Sequence, residues 1–373
     1  MQAMATPRER FYRTMRHEPH ADLLYYAGFT PDIKRRVEEH VGSGDLGEYY
    51  EMFRPVPVGS ISGASAPLSE RPDVAAYYEG VSVPEGSYVD ANGCLHVPGS
   101  SYHFTHYVSP LRNAESLAEI EAFPYYRAPI EDDETLRAAA EAAHAASQVT
   151  VCWIGHMYET SWQIRGYEEF LMDMIAEPDR AEFILETITR GNIARAEAAA
   201  RAGVDYLRTG DDVANQNPLM FRKDMWERFM KSRWARVYEA ARRIKPDIEI
   251  WYHSDGNIEE IIPDLIDIGV TILNPVQPEC MDVYDIKRRF GDKLVLDGTI
   301  GTQTTMPFGT AEEVRKTVLS RAEDLGADGG LIISPTHVLE PEVPVENITT
   351  FFETCRSLRS EERRVGKECA TGC

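Results

Sequence analysis

The strongest constraint on the fold is a regular alternation of two sequence patterns from about residue 130 onward. Short apolar runs, such as 148–155 and 270–277, alternate with longer stretches that carry helix-start and helix-stop residues. Six strand–helix repeats are predicted between about residues 130 and 340. Because the strand runs are continuously apolar, we expect helices to cover the sheet. The pattern predicts a parallel α/β fold, either a doubly wound open sheet or a (β/α)8 barrel.

The positions of polar residues favour the (β/α)8 TIM-type barrel. No glycine-rich phosphate loop follows the first strand of the repeats. Polar residues instead cluster at the carboxyl ends of the strands, and in a barrel those ends meet at one mouth, where barrel enzymes place their chemistry. In chain order these residues are His156, Glu159, Asp211, Asp212, His253, Asp255, Asn274, Gln277, Asp297 and His337.

The first 130 residues have a different pattern, dense in aromatic residues and prolines. Residues 21–28 form a further predicted strand, and residues 86–111 indicate a hairpin with an Asn92–Gly93 turn. We interpret this region as the first barrel elements with an N-terminal cap over the barrel mouth. Residues 1–358 are then a single domain, of which 131–358 are the regular repeats.

The carboxyl-terminal tail is a separate case. Residues 359–369 read RSEERRVGKEC, which matches the in-frame translation of a common sequencing-adapter oligonucleotide. We therefore expect residues 359–373 to be non-native and the native carboxyl terminus to be missing. The alternative is a charged natural tail.

Composition excludes several classes of partner. The net charge of −22 argues against nucleic-acid phosphates and anionic lipids. No run of apolar residues is long enough to span a membrane, and the amino terminus lacks a secretory apolar region, so a cytoplasmic protein is expected. The six cysteines show no CxxC pair, which argues against disulfides. A homodimer is the expected oligomer, since dimers are the common case.

The segment EIWYHSDGN, residues 249–257, carries the sharpest chemical signal. Residues i and i+2 of a strand share a face, so His253 and Asp255 are expected to point into the mouth while Ser254 points away. An imidazole nitrogen and a carboxylate oxygen at this spacing suit two ligands of one metal ion. Gly256 lets the backbone turn sharply afterward. The alternative is a hydrogen-bonded structural or acid–base pair.

His337 supplies a third candidate ligand, because it ends the last predicted strand and lies near the others in a closed barrel. Two histidines and one aspartate with an open fourth position match a catalytic zinc pattern. The predicted metal ligands are therefore His253, Asp255 and His337. Glu279 and Cys280 are alternates, and the alternative for His337 is a lone loop histidine.

The other polar residues receive roles from their positions. Of Asp211 and Asp212, one is expected to orient a ligand histidine and the other to act as a base; the alternative for this pair is capping of loop N–H groups. Glu159 and Arg165 follow a strand closely and complete the predicted catalytic set as substrate contacts. The predicted cofactor contacts, at the ends of later strands, are Asn274, Gln277 and Asp297.

Six segments together resemble the uroporphyrinogen decarboxylase superfamily, in order and spacing, over nearly all of residues 6–356. The resemblance implies a (β/α)8 barrel, in agreement with the repeat pattern. The segments are RERFYRTMRHEP (8–19), RGYEEFLMDMIAEPDRAEFI (165–184), GVDYLRTGDDVANQNPLM (203–220), HSDGNIEEIIPDLIDIGVTILNPVQPE (253–279), LDGTIGTQTTMPFGTAEEV (296–314) and PEVPVENI (341–348).

The resemblance is closer to one of the superfamily's two branches. True decarboxylases carry an amino-terminal Arg-Gln-Ala-Gly-Arg type of motif, whereas the equivalent region here, 23–32, reads LLYYAGFTPD. The zinc-dependent, corrinoid-linked methyltransferases carry a His-x-Cys at a strand end and a later Cys near the last strand. Here His253 matches the histidine, Asp255 stands in place of the first cysteine, and the segment with His337 stands in place of the later one.

The resemblance implies a zinc-dependent methyltransferase that moves a methyl group from an O- or N-methylated small molecule to a corrinoid carried by a separate protein. A His/Asp/His ligand set leaves a harder metal than thiolates do, which suits an ether or hydroxyl oxygen. One alternative is a cofactor-free decarboxylase of a porphyrinogen or smaller acid, with Arg165 binding the carboxylate and Asp212 stabilising developing charge. Another is a non-catalytic corrinoid- or porphyrin-binding protein.

Overall fold

The computed structural model describes most of the chain. Its backbone covers residues 5–20, 22–59, 65–99, 106–125 and 132–371, with side chains as far as 358. Three parts of the predicted elements lie outside the described residues: Ala21, residues 100–105 and Glu131. The side chains of the adapter-like tail also lie outside them.

Eight of the described strands pair in parallel to form one sheet. Its order is β1-β11-β10-β9-β8-β7-β6-β2, while β3, β4 and β5 form a separate antiparallel sheet. The strands are β1 (Leu24–Tyr25), β2 (Val56–Pro57), β3 (Tyr88–Val89), β4 (Leu95–Val97), β5 (His106–Val108), β6 (Thr150–Gly155), β7 (Tyr206–Gly210), β8 (Glu249–His253), β9 (Ile272–Asn274), β10 (Val295–Asp297) and β11 (Leu331–Ile333).

The sheet curls until its two edges meet. The backbone N–H of Phe53, just before β2, donates to the carbonyl oxygen of Tyr25 in β1 over 2.8 Å. Neighbouring strands follow chain order from β6 to β11, without the reversal that defines a doubly wound sheet. The predicted (β/α)8 barrel is confirmed, and the open-sheet alternative is wrong.

Helices cover the outside of the barrel. A π-helical turn, Glu227–Lys231, joins α9 to α10, and a second, Arg321–Leu325, extends α14. The α-helices are α1 (Pro7–Met15), α2 (Pro31–Val41), α3 (Leu46–Tyr49), α4 (Leu117–Glu121), α5 (Asp133–Ala145), α6 (Tyr158–Arg165), α7 (Tyr167–Ala176), α8 (Pro178–Ala202), α9 (Lys223–Trp226), α10 (Ser232–Ile244), α11 (Ile262–Ile268), α12 (Val283–Phe290), α13 (Thr305–Phe308), α14 (Ala311–Ser320) and α15 (Val345–Thr371).

Helix α8 shows how local sequence sets an element's ends. Pro178 occupies the first turn, where its missing N–H would have had no partner. Gly203 ends the helix in the left-handed conformation, at φ 84°, and its N–H donates back to Ala199 and Ala200. Both ends agree with the sequence prediction. None of the described helices is both long enough and apolar enough to cross a bilayer.

Two apolar layers hold the barrel together. The larger one lies between the strands and the surrounding helices. The smaller one fills the barrel interior with inward-facing side chains, because alternate residues of a strand face opposite sides. Its buried members are Phe11, Leu24, Phe53, Val149, Tyr206, Trp251, Ile272, Val295 and Ile332.

Helix α1 closes the end of the barrel opposite the mouth. Phe11 enters the interior and stacks on Tyr206, with ring centroids 5.5 Å apart. Arg8 and Tyr12 bind Asp205, which precedes β7, at 2.7 and 2.5 Å. The prediction of an N-terminal cap over the mouth is therefore wrong for this helix. Phe11 and Phe53 of this region instead belong to the apolar layer that fills the barrel interior.

The predicted hairpin lies on the mouth side. Strands β3 and β4 pair across the Asn92–Gly93 turn, and Gly93 has φ 86°, which favours glycine. Tyr107 of β5 packs edge-on against Trp162 of α6, with centroids 5.6 Å apart. This small sheet therefore borders the helix that follows β6.

Candidate functional site

The carboxyl ends of the central strands bring the predicted polar residues together. β6 is followed by His156, β7 by Asp211 and Asp212, and β8 ends in His253. Gly210, the last residue of β7, packs so closely on β8 that any side chain there would collide with the backbone of His253. The glycine thus allows the two strand ends, and the acids that follow, to approach each other.

Asp212, His253 and Asp255 form a compact group, here called the His253 cluster. One candidate ligand atom of each lies within 4.8 Å of the others. His253 Nε2 is 3.7 Å from a carboxylate oxygen of Asp212 and 3.8 Å from one of Asp255. The structure therefore brings His253 and Asp255 together, as predicted, and adds Asp212, which the sequence assigned to catalysis.

Asn274 and Trp251 fix the orientation of the His253 ring. Its Nδ1 lies 2.7 Å from the side-chain oxygen of Asn274, which can only accept, so Nδ1 carries the proton. Nε2 then faces the two carboxylates. Trp251 stacks on the ring, with centroids 5.7 Å apart. An imidazole fixed in this way is the usual arrangement behind a metal-ligating histidine. Asn274, predicted as a cofactor contact, thus lies behind the cluster.

The His253 cluster concentrates negative charge. Burial and the neighbouring charge of Asp212 raise the pKa of Asp255, although His253 and His337 oppose the rise. The two carboxylates remain about one-third exposed, at 36 % for Asp212 and 38 % for Asp255. The backbone N–H of Asp255 donates to Asp212 over 2.8 Å. Two carboxylates facing one imidazole favour a cation between them.

A second group, His156, Glu159 and Asp211, supports the first. Asp211 is fully buried and accepts from the N–H groups of Met157 and Tyr158, both at 2.7 Å. Glu159 accepts from the backbone N–H of Asp212 over 3.0 Å and pairs with His156 at 2.6 Å. Asp211 therefore holds the loop after β6, and Glu159 holds the backbone of the Asp212 loop. These contacts give both acids a positioning role.

The protonation of this supporting group is unusual. Burial raises the pKa of Asp211 to about 7, and the charge of Glu159 adds to the effect. Burial alone would lower the pKa of His156, but the hydrogen bond and charge of Glu159, with the charge of Asp211, outweigh it and raise that pKa to about 9. At neutral pH the group therefore holds a protonated imidazole against Glu159.

His337 lies across a cavity from the His253 cluster. This cavity has a volume of about 450 Å³ and includes Asp255, Gln277 and His337 in its lining. His337 is exposed, and its ligand atoms fall outside the group that meets within 4.8 Å. Gln277 accepts from the N–H of Gly256 over 3.2 Å. The structure thus places both predicted residues beside the cluster without bringing His337 into ligand distance.

Two predicted site residues point elsewhere. Arg165 is buried, pairs with Asp173 at 2.6 Å and donates to the carbonyl of Leu111 at 2.6 Å. It therefore ties α6 to α7 away from the His253 cluster. Asp297 faces the barrel interior and accepts from Tyr26, Trp251 and Ser334 at 2.8–2.9 Å. Burial raises its pKa, although these hydrogen bonds oppose the rise.

Arg208 is the residue that the sequence predictions missed. It lies in the middle of β7, exposed, with its guanidinium 4.1 Å from the ring centroid of Trp251 and 5.5 Å from that of Trp153. The signal was present in the sequence. Tyr206, Arg208 and Gly210 share the inward face of β7, so a lone arginine in an apolar strand had to enter the barrel.

The curated uroporphyrinogen decarboxylase of Pseudoalteromonas translucida (strain TAC 125) is 35 % identical over 72 residues, which are 19 % of this chain. The match spans only 20 % of that relative's length.

The fold has a solved counterpart. A methyltransferase from Methanosarcina mazei superposes with a TM-score of 0.65 at 16 % identity, over 95 % of this chain and 100 % of that chain. At this level of identity the likeness establishes the shared fold.

The family model for uroporphyrinogen decarboxylase (URO-D) matches residues 152–358, which include both polar groups of the mouth. The chain therefore belongs to the uroporphyrinogen decarboxylase (URO-D) family.

Proposed function

We propose that the protein is a metal-dependent methyltransferase that moves a methyl group from an O- or N-methylated small molecule to a corrinoid carried by a separate protein. The observation that carries the proposal is the His253 cluster, in which an oriented imidazole faces two carboxylates at the barrel mouth. The resemblance to the methyltransferase branch and the solved methyltransferase of the same fold support it.

The donor set of the His253 cluster fits a divalent metal. One nitrogen and two carboxylate oxygens are ligand types that zinc accepts, and three protein ligands leave room for a substrate atom. The partial exposure of Asp212 and Asp255 gives access from solvent. We propose zinc held by Asp212, His253 and Asp255, with His337 adjacent across the cavity. A bound divalent ion would supply Lewis acidity to the atom that carries the methyl group.

The residues around the cluster would prepare it for this chemistry. Asn274 accepts from Nδ1 of His253 and so directs Nε2 toward the two carboxylates, where it can act as a metal ligand. Glu159 fixes the backbone of Asp212. When an ether or a neutral amine loses its methyl group to Co(I), the oxygen or nitrogen left behind must take up a proton. We propose that this proton comes from solvent through the exposed side of the cluster.

The proposal is tested by metal content and methyl transfer measured on the same preparations. Elemental analysis of the protein is expected to find about one zinc per chain. A panel of O- and N-methylated compounds would be screened with free cob(I)alamin as methyl acceptor, followed by absorbance. His253→Ala is expected to lose both metal and transfer.

The matched control is His40→Ala, which removes an exposed histidine at the end of α2 and should change neither property. Wild-type protein that binds no metal, or that transfers methyl groups equally well after chelation, would contradict the proposal.

A cofactor-free decarboxylase is the second candidate. The partial match to a uroporphyrinogen decarboxylase and the exposed guanidinium of Arg208 both suit a carboxylate substrate. The two candidates differ in a direct way. A decarboxylase would release carbon dioxide from an acid without metal or corrinoid. His253→Ala would then lower its activity by removing hydrogen bonds of His253, not by removing a metal.

A further inference from the structure

Arg208 carries a positive charge that no described residue neutralises by an ion pair. Among the described residues, no carboxylate lies within ion-pairing distance of its guanidinium, and no hydrogen bond to it is found. Its contacts are the faces of Trp251 and Trp153, which hold the flat group in place and leave its N–H edges available. An arginine held in this way is preorganised for an anion.

Asp297, whose charge interacts with that of Arg208, does not form an ion pair with it. Asp297 is close enough to Arg208 for their charges to interact, yet its two oxygens are already taken by Tyr26, Trp251 and Ser334. A structural ion pair between Arg208 and Asp297 is therefore not what the geometry shows. Arg208 instead lines a small cavity of about 90 Å³, and the residue is exposed.

Arg208 lies directly beneath the His253 cluster. In the sheet, Arg208 is paired with Trp251, and Gly210 is paired with His253, two residues further toward the mouth. Two residues of strand correspond to about 6.6 Å. The guanidinium rests on the same tryptophan that stacks on the His253 ring. An anion bound to Arg208 would thus lie about 6.6 Å below the His253 cluster, a distance that one small molecule can span.

The distribution of charge at the barrel mouth would orient a substrate that carries a carboxylate. Asp212, Asp255 and Glu159 lie at the rim, whereas Arg208 lies deeper. A carboxylate would be repelled by the acids and attracted to the arginine. A molecule with a carboxylate at one end and a methyl group at the other would therefore enter with its carboxylate toward Arg208.

We propose that Arg208 binds the carboxylate of the substrate and thereby selects methylated carboxylic acids over neutral methylated compounds. The inference rests on the proposed function for the methyl group, but the carboxylate subsite itself requires neither metal nor turnover. Arg208 is a binding residue in this proposal. The N–H edges of its guanidinium would donate to both carboxylate oxygens.

The experiment measures equilibrium binding to the protein as purified, without corrinoid so that no turnover occurs, by calorimetry and by quenching of tryptophan fluorescence. The probes are 4-methoxybenzoate and methoxyacetate, each compared with its neutral amide. Wild-type protein is expected to prefer at least one acid over its amide by about 10- to 100-fold, as for a charge-assisted hydrogen bond. Arg208→Gln should abolish that preference and leave the weak binding of the amide unchanged.

Arg222→Gln is the matched control, since this exposed arginine precedes α9 and pairs only with Asp224 among the described residues. It should keep the preference. Retained amide binding and an unchanged melting temperature in Arg208→Gln would show that the variant is folded. Equal binding of every acid and its amide by the wild type, or a preference that survives in Arg208→Gln, would overturn the inference.

The outcome separates this inference from the proposed function. Acid-selective binding that depends on Arg208, in a protein without methyl transfer, supports the carboxylate subsite and points to the decarboxylase. Methyl transfer that depends on His253, from neutral and acidic donors alike, overturns the carboxylate subsite and leaves the proposed function intact.

Discussion

At the scale of single residues, the His156–Glu159 pair makes stability depend on pH. The folded protein holds the His156 proton with a pKa near 9, whereas an imidazole in the unfolded chain titrates near 6.5. The resulting stabilisation is complete below about pH 6.5 and is lost as the pH rises through about 9. Asp211, whose pKa is raised to about 7, also makes the free energy of unfolding fall as the pH rises between about pH 4 and 7.

We therefore expect the free energy of unfolding, measured by urea denaturation, to fall by about 1–3 kcal/mol between about pH 6.5 and 9. His156→Gln and Glu159→Gln should each flatten this part of the curve, because each removes one partner of the pair. His40→Gln, on the surface of α2, should keep the wild-type slope. A His156→Gln curve as steep as that of the wild type would contradict the assignment.

At the scale of elements, two glycines of the α8 region test the helix and its end separately. Gly203 ends the helix at φ 84°, and Gly191 lies within it; an added methyl group would meet no neighbour at either position. Gly203→Ala is expected to lower the free energy of unfolding by about 1 kcal/mol through backbone strain. Gly191→Ala should raise it by about 0.5–1 kcal/mol, since alanine favours the helix.

Denaturation curves of the two variants and the wild type provide the measurement. Opposite signs are the essential result, because both substitutions add the same methyl group in open space. A stabilising Gly203→Ala would show that the left-handed end is not present in solution. The sequence predicted this end correctly, since proline and glycine act through their own backbone preferences.

At the scale of the whole molecule, Asp205 joins α1 to the start of β7, at the end of the barrel opposite the mouth. It is fully buried and binds Arg8 and Tyr12 of α1, together with His144 and Thr150. Asp205→Ala would leave these partners without their acceptor, and we expect a loss of about 3–5 kcal/mol in the free energy of unfolding. Asp32→Ala, which removes an exposed acid of α2, should cost less than about 0.5 kcal/mol.

The measurement for Asp205→Ala is again urea denaturation, with limited proteolysis of the amino-terminal segment as a second readout. A loss as small as that of Asp32→Ala would contradict the role of Asp205 in holding α1 to the barrel. The sequence did not reveal this contact, since 197 residues separate Asp205 from Arg8. The same long-range contact shows that the α1 part of the N-terminal region does not belong to the predicted cap over the mouth.

The candidate site was predictable where it depends on the alternation of side chains along one strand. His253 and Asp255 were expected to meet because alternate residues of one strand share a face. The inclusion of Asp212 instead of His337, and the positioning role of Asp211, depended on how neighbouring loops pack. Arg165 was assigned to the site by closeness in sequence, but its helix turns it toward Asp173.

The sequence by itself determined the parallel strand–helix repeats from about residue 130, favoured the barrel over an open sheet, and indicated the end at which polar residues gather. Those features follow from local periodicity and from residues such as Pro178 and Gly203, which act without distant partners. Only the tertiary structure decided which strand ends approach within ligand distance, which end α1 closes, and which charge stays unpaired. These depend on side-chain distances between segments far apart in the chain, for which a single sequence carries no measure.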